Sequence, residues 1–285
     1  MPIPDGIPSR LYKYFAPKCY VERVIRGEAI QFTCPLDFND PFECRYRIKY
    51  GGRRRTVEMH FRKVAKQMFP KAPLAERAEL ASAVAAMFAK GYVYAHELPY
   101  YEDLIKRWGV LSLSERHESV LMWSHYAENH QGICIGFDTD RDFFGLAGQV
   151  AYREEMPFSD LLTRTGEGAE RILEAALLTK STDWSYEREW RVLKSKRPLE
   201  EIGEITADAF DKGFDEAGRR ALAAHYGPGR YPFEPSAVAE IIFGLRTAPE
   251  FEARVRGWVR DTGSATAFYR AIYVRGEYRL ERVPA

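Results

Sequence analysis

The sequence lacks most of the signals that announce a chemistry. Its 285 residues include four cysteines, Cys19, Cys34, Cys44 and Cys134, with no CxxC pair among them. That spacing argues against thiolate zinc sites and dithiol redox motifs and leaves free thiols suited to a reducing compartment. No apolar run approaches the ~20 residues of a membrane span. Met1-Pro2-Ile3-Pro4-Asp5 has neither the charged nor the apolar region of a signal peptide. The expected location is therefore the cytoplasm, away from membranes. The 42 Lys and Arg nearly cancel the 41 Asp and Glu, so the net charge is +1 and any preference for a charged partner must be local. GxGxxG, Walker-type, GxSxG and HExxH patterns are missing, which disfavours ordinary dinucleotide, NTPase, α/β-hydrolase and zinc-protease chemistry. His125 and His130 stand five apart, not at the i, i+4 spacing of a helical metal pair, and no metal is expected.

What is present is globular: 46% hydrophobic and 14% aromatic residues can bury a sizeable core. With no linker, repeat or low-complexity run, residues 1–285 read as a single domain. Arg10 to Phe15 alternates as a strand, Tyr20 to Arg26 reads as a short helix stopped by Gly27, and Ala29 to Thr33 is a second strand. Pro35 to Glu43 is an ordered loop, bent by prolines and pinned by Phe38 and Phe42. Residues 56–108 are mainly helical, clearest from Leu74 to Lys90, and form an insertion. Val110 to Ser114 then reads as a strand, with Ser114 capping a helix from Glu115 to about Asn129. Strands follow at Ile133 to Asp138, Tyr186 to Lys194 and Ile241 to Gly244, with a helix over Glu170 to Leu178 and another beginning at Pro249. A hairpin, Ala271 to Val274 and Tyr278 to Leu280, closes the chain. Strands and helices do not alternate regularly, which predicts an α+β fold with a mixed, mostly antiparallel central sheet.

Two segments could carry chemistry. In a strand, Glu187, Glu189 and Arg191 share one face at ~7 Å spacing, where two carboxylates beside a guanidinium can orient a polyol, polarise a bound water or stabilise a developing positive charge. A ladder of ion pairs on a solvated face gives the same pattern. On the predicted helix Trp123 and Tyr126 share a face with His125 nearby, and core packing explains the two aromatic residues equally well. A further polar cluster is Asn39, Asp40 and Glu43, of which Asn39 and Asp40 fit an Asx-turn. The strongest basic patch runs through Arg53, Arg54 and Arg55 to Arg62, Lys63 and Lys66, and could meet a nucleic-acid or protein partner.

Four motifs in order, Leu11-Tyr12-Lys13-Tyr14, Phe38-Asn39-Asp40-Pro41-Phe42-Glu43, Leu121 to Gly132 and Trp184 to Arg191, resemble a bacterial domain-of-unknown-function family, number 2971, over residues 10–245. More remotely, the element order is similar to the ADP-ribosyltransferase superfamily. There an N-terminal strand with a basic or His residue precedes a short helix and a Gly. A Ser/Thr strand, a helix bearing a nicotinamide-facing aromatic and a late strand with an E-x-E pair follow. The resemblance implies NAD as substrate, Glu189 and Glu187 as catalytic residues, and Arg10, Tyr12, Lys13, Ser112, Trp123, His125, Tyr126 and Arg191 around the nucleotide, in a toxin or phage-defence effector. Lys13 stands where many members have His. Two other readings are compatible with the residues: a metal-dependent nuclease or hydrolase built on Asp40, Glu43 and Glu187, and a non-catalytic module that binds a nucleotide or peptide.

Overall fold

The computed structural model describes residues 6–49, 53–88, 91–98, 101–160, 168–195 and 227–285. The chain adopts the α+β class expected, with a mixed, mostly antiparallel central sheet. It divides into two compact units, one formed by Met1–Phe38, Lys106–Val150 and Asp183–Ala285, the other by Asn39–Ile105 and Ala151–Thr182. No change of composition marks those four crossings.

The first unit is built on eight strands: β1 Arg10–Phe15, β2 Trp108–Ser114, β3 Ile133–Asp138, β4 Gly148–Gln149, β5 Glu189–Ser195, β6 Val238–Phe243, β7 Ala267–Tyr273 and β8 Leu280–Pro284. Their order across the sheet is β8-β7-β6-β3-β1-β2-β5-β4. Every neighbouring pair is antiparallel except β6 and β7. That parallel pair needs a crossover, supplied by the helix Pro249–Thr262. It starts with Pro249 in its first turn, ends at Gly263 in the left-handed region (φ 69°), and buries Phe251, Val255 and Val259 at i, i+4 and i+8.

The sheet is covered on both sides because its strands alternate two apolar sets. Leu11, Phe15, Leu111, Leu113, Ile133, Ile135, Phe137, Trp190 and Val192 belong to one core with Val21, Val24 and Ile25. Tyr12, Tyr14, Cys134 and Ile242 form the other with Met122, Trp123 and Ala127. In one place the sheet is thinly sewn: β1 and β2 share a single pair, Tyr12↔Ser114. Farther along β2, Val110 pairs instead with Thr33, next to a ribbon in which Ile30–Phe32 runs antiparallel to Gly229–Tyr231.

Two local expectations are corrected here. The helix expected from Glu115 begins only at Val120 and ends at Tyr126, and its cap is Ser119, whose Oγ accepts from the Met122 N–H at 3.4 Å. Ser114 is occupied otherwise: its Oγ donates to the Glu187 carbonyl and accepts from the Arg116 N–H. The strand expected from Tyr186 begins at Glu189, because Thr182–Glu187 is a 3-10 helix and Arg188 takes φ 45°.

The second unit holds most of the expected helical insertion. Helices Arg54–Met68 and Leu74–Phe88 form a hairpin sealed by Val57, Phe61 and Ala65 against Ala81, Val84, Ala85 and Phe88. The other elements of this unit are a small sheet with strand order Tyr92–Tyr94, Arg47–Lys49, Phe158–Asp160 and a parallel pair, Ala151–Arg153 with Thr179–Ser181. The helix expected over Glu170 to Leu178 is Gly168–Leu177.

Candidate functional site

At the start of β5, Arg191 grips Glu189 with a two-pronged contact, Nε to Oε1 at 2.8 Å and Nη2 to Oε2 at 2.9 Å. The two residues alternate onto one face of the strand, and both are buried, Arg191 at 1% and Glu189 at 3% exposure. A planar guanidinium matched to a carboxylate fixes the orientation of both groups. Across the sheet Glu189 pairs with Ser114 and Arg191 with Ser112, and the Arg191 guanidinium lies over the Phe38 ring, 5.4 Å from its centre.

Glu187 reaches the same place by a different route from that expected. The left-handed turn at Arg188 takes it out of the strand's alternation, so the Glu187 and Glu189 carboxylates are not two rungs of one strand face. The turn is held by Arg188 and Trp190, which donate to opposite oxygens of Glu115 at 2.7 and 3.2 Å. The Glu187 carbonyl accepts from Ser114 Oγ and its Oε1 from Tyr126 Oη, each at 2.6 Å. Lys13 joins from β1: its Nζ donates to the Ser112 carbonyl at 2.9 Å. Burial pushes its pKa down to about 8, against the upward pull of Glu189 and Glu187. Lys13, Ser112, Ser114, Tyr126, Glu187, Glu189 and Arg191 are thus one connected set with two carboxylates and two cations.

Lys13 also lines a cleft of about 950 Å³ that opens where β1 parts from β2. Its walls are the end of β1, the short helix Val21–Ile25 and the Ile30–Phe32/Gly229–Tyr231 ribbon, and they bring Arg23, Arg230, Phe15 and Tyr20 around the space together with the carboxylates of Glu22 and Glu28. Both Arg23 and Arg230 are exposed. Reasoning from sequence did not reach these two arginines, because they are isolated in the chain and meet only through the folding of the ribbon.

The remaining expected site residues lie elsewhere or are already engaged. Arg10 donates to Glu240 Oε2 at 2.7 Å. Glu240, at 0% exposure, is also held by Arg282, which reaches Tyr12 Oη at 3.3 Å. Arg10 and Tyr12 are therefore engaged in a network around buried Glu240, with the Arg10 side chain still 36% exposed. Trp123 is wholly buried; its Nε1 donates to the His117 carbonyl at 2.8 Å and its ring packs between Tyr14 and His130. It has no face to offer a ligand. His125 is exposed beside the rings of Tyr126 and Tyr186.

In the second unit, Asp40 Oδ1 accepts the Phe42 N–H at 2.9 Å, an Asx-type turn, while its Oδ2 is buried without a hydrogen bond. Glu43 is buried 3.9 Å from Lys180, and Asn39 is exposed, as are Arg53, Arg54 and Arg55. Among the described residues no three His, Cys, Asp or Glu side chains gather as a metal site. None of the described helices is long and apolar enough to cross a membrane.

Comparison with curated proteins gives no match, and comparison with solved structures gives none either. A family model does match: residues 122–192, the stretch that supplies Tyr126, Glu187, Glu189 and Arg191, correspond to the family described as "Protein of unknown function (DUF2971)".

Proposed function

We propose that the chain is an NAD-using enzyme of the ADP-ribosyltransferase type. The observation that carries this reading is the juxtaposition of β1, β2 and β5, which joins Lys13, Ser112, Ser114, Glu187 and Glu189, with Lys13 also lining the cleft. On this reading β1 stands for the superfamily's basic strand, β2 for its Ser/Thr strand and β5, with Glu187 in the turn before it, for its E-x-E strand; the three are neighbours in the sheet although far apart in sequence.

The chemistry follows from the charges. NAD lays its pyrophosphate among Lys13, Arg23 and Arg230, as a cleft within the usual 300–1,000 Å³ range for ligand pockets allows. The bond between ribose C1′ and the nicotinamide nitrogen breaks, and its electron pair leaves with the nicotinamide, which becomes neutral. The ribosyl cation that remains is stabilised by Glu189, held in place by Arg191. An acceptor oxygen or nitrogen attacks C1′, and its proton passes to Glu187, which Tyr126 orients.

The test is nicotinamide release from NAD, followed by chromatography. Glu189→Gln should reduce it at least a hundredfold with an unchanged circular-dichroism spectrum, and wild-type turnover in that variant would remove the mechanism. A second reading has its own support: Arg191 engages both oxygens of Glu189, as it would in a site that binds without reacting. A nucleotide that raises the melting temperature with no product formed would select this binding module.

A further inference from the structure

The helix Arg54–Met68 has a face with nothing of the fold on it. Val57, Phe61 and Ala65 are its buried residues, and Phe61 stacks on Phe88 of the neighbouring helix at 5.4 Å. Arg55, Met59, Arg62 and Lys66 recur at i, i+4, i+7 and i+11 on the other side, all exposed, with Lys63 and Arg54 beside them. At 1.5 Å per residue, Arg55 to Lys66 spans ~16 Å, a cation on most turns. The helix has one acidic residue, Glu58, paired with Arg62 at 2.8 Å. Both side chains remain partly open to water, and such a surface pair is weak enough to be exchanged for a phosphate. The neighbourhood is equally one-sided: residues 45–77 contain 11 Lys and Arg against two acidic residues, Glu58 and Glu76. In a chain of net charge +1, so strong a local excess requires an excess of acid in the rest.

We propose that this outer face binds the phosphate backbone of a nucleic acid, with Arg55, Arg62 and Lys66 as the main contacts and Arg54 and Lys63 flanking them. The guanidinium groups of Arg55 and Arg62, two turns apart, suit phosphates, which accept two parallel hydrogen bonds, and Lys66 adds a point charge one turn farther on. A membrane surface fits less well. A helix lying in a bilayer interface needs a broad free apolar face, and here that face is spent on the helix Leu74–Phe88, leaving Met59 alone among the exposed cations. The surface lies in the second unit and stands independently of the NAD reading.

Fluorescence anisotropy with the full chain and a labelled 24-base-pair DNA duplex, a matched RNA duplex and a single strand between 50 and 200 mM NaCl tests it. The expected result is binding whose log K falls against log salt with a slope of about −3 to −5 for the duplex. Arg55→Glu combined with Lys66→Glu should weaken binding at least tenfold and flatten the slope by about two, with the melting temperature unchanged. Arg62→Gln with Lys63→Gln should act in the same direction more mildly. No binding at 50 mM salt, or equal binding by both variants, would overturn the proposal. So would binding to phosphatidylserine vesicles without binding to any of the nucleic acids, which would identify a lipid surface instead.

Discussion

At Lys13, burial and charge pull in opposite directions, and burial wins: the amine titrates at about 8, not near its ordinary 10.5. Since the folded value lies below the unfolded one, the fold penalises the charged form. That cost is fully present below pH 8 and is relieved as pH rises toward 10.5. Function should run the other way, because a neutral amine no longer attracts a pyrophosphate. Nicotinamide release is therefore expected to decline on an alkaline limb centred near pH 8. Lys13→Arg, which stays charged, should move that limb beyond the measurable range; an unchanged pH profile in this variant would remove Lys13 from the site. Tyr126 offers a second test. Its 2.6 Å bond to Glu187 is charge-assisted, so Tyr126→Phe should cost about 1–3 kcal/mol in urea unfolding. A double-mutant cycle with Glu187→Gln should recover a coupling of at least ~0.5 kcal/mol, and strict additivity would mean that the pair does not interact in solution.

At the scale of the element, the turn that brings the chain back from the helix Val120–Tyr126 into β3 depends on close backbone contact. A Cβ added at Gly132 would stand 1.9 Å from the Phe15 carbonyl oxygen, and one at Gly244 2.2 Å from that of His130. Neither neighbour is a flexible side chain that could swing aside. Gly132→Ala is accordingly expected to destabilise by about 3 kcal/mol, the upper part of the overpacking range, read as a lowered urea midpoint with an unchanged m-value.

The same region shows what was legible in the sequence. Alternation located β1, β3 and the apolar half of β5, since Leu11, Ile133, Ile135 and Val192 obey a simple period. It could not foresee that Arg188 enters the left-handed region, because nothing in Glu-Arg-Glu distinguishes a turn from a strand. The Glu187–Glu189 pair was found and its geometry mistaken. Ser114 resembled a helix cap by spacing alone and proved to be a clamp on Glu187. The cleft was illegible for a different reason: Arg23 and Arg230 are distant in the chain, and only pairing of Ile30–Phe32 with Gly229–Tyr231 brings them to one wall.

On the scale of the first unit, Glu240 ties together three strands. It sits on β6 and takes Arg10 from β1 and Arg282 from β8, so the last strand is fastened toward the middle of the sheet by charge as well as by its ladder to β7. Arg282→Ala leaves a buried carboxylate with one partner fewer. Because Arg10 still neutralises Glu240, the expected loss is about 1–3 kcal/mol of unfolding free energy, and a change below ~0.5 kcal/mol would show that the network is not important to stability. The mixed sheet itself was readable from irregular element order, whereas its strand order was not, because register depends on partners more than a hundred residues away.

That strand order also has a temporal consequence. β1 is synthesised before the other strands of this sheet yet belongs in its interior, between β3 and β2, and Phe15 must wait for Ile133. At a synthesis rate of roughly 5–20 residues per second, the wait is on the order of 6–25 s. For that interval Leu11-Tyr12-Lys13-Tyr14-Phe15 is an aromatic strand with both edges unpaired, the kind of segment that chaperones hold. Newly made chains should thus depend on a holdase more than refolded full-length protein does.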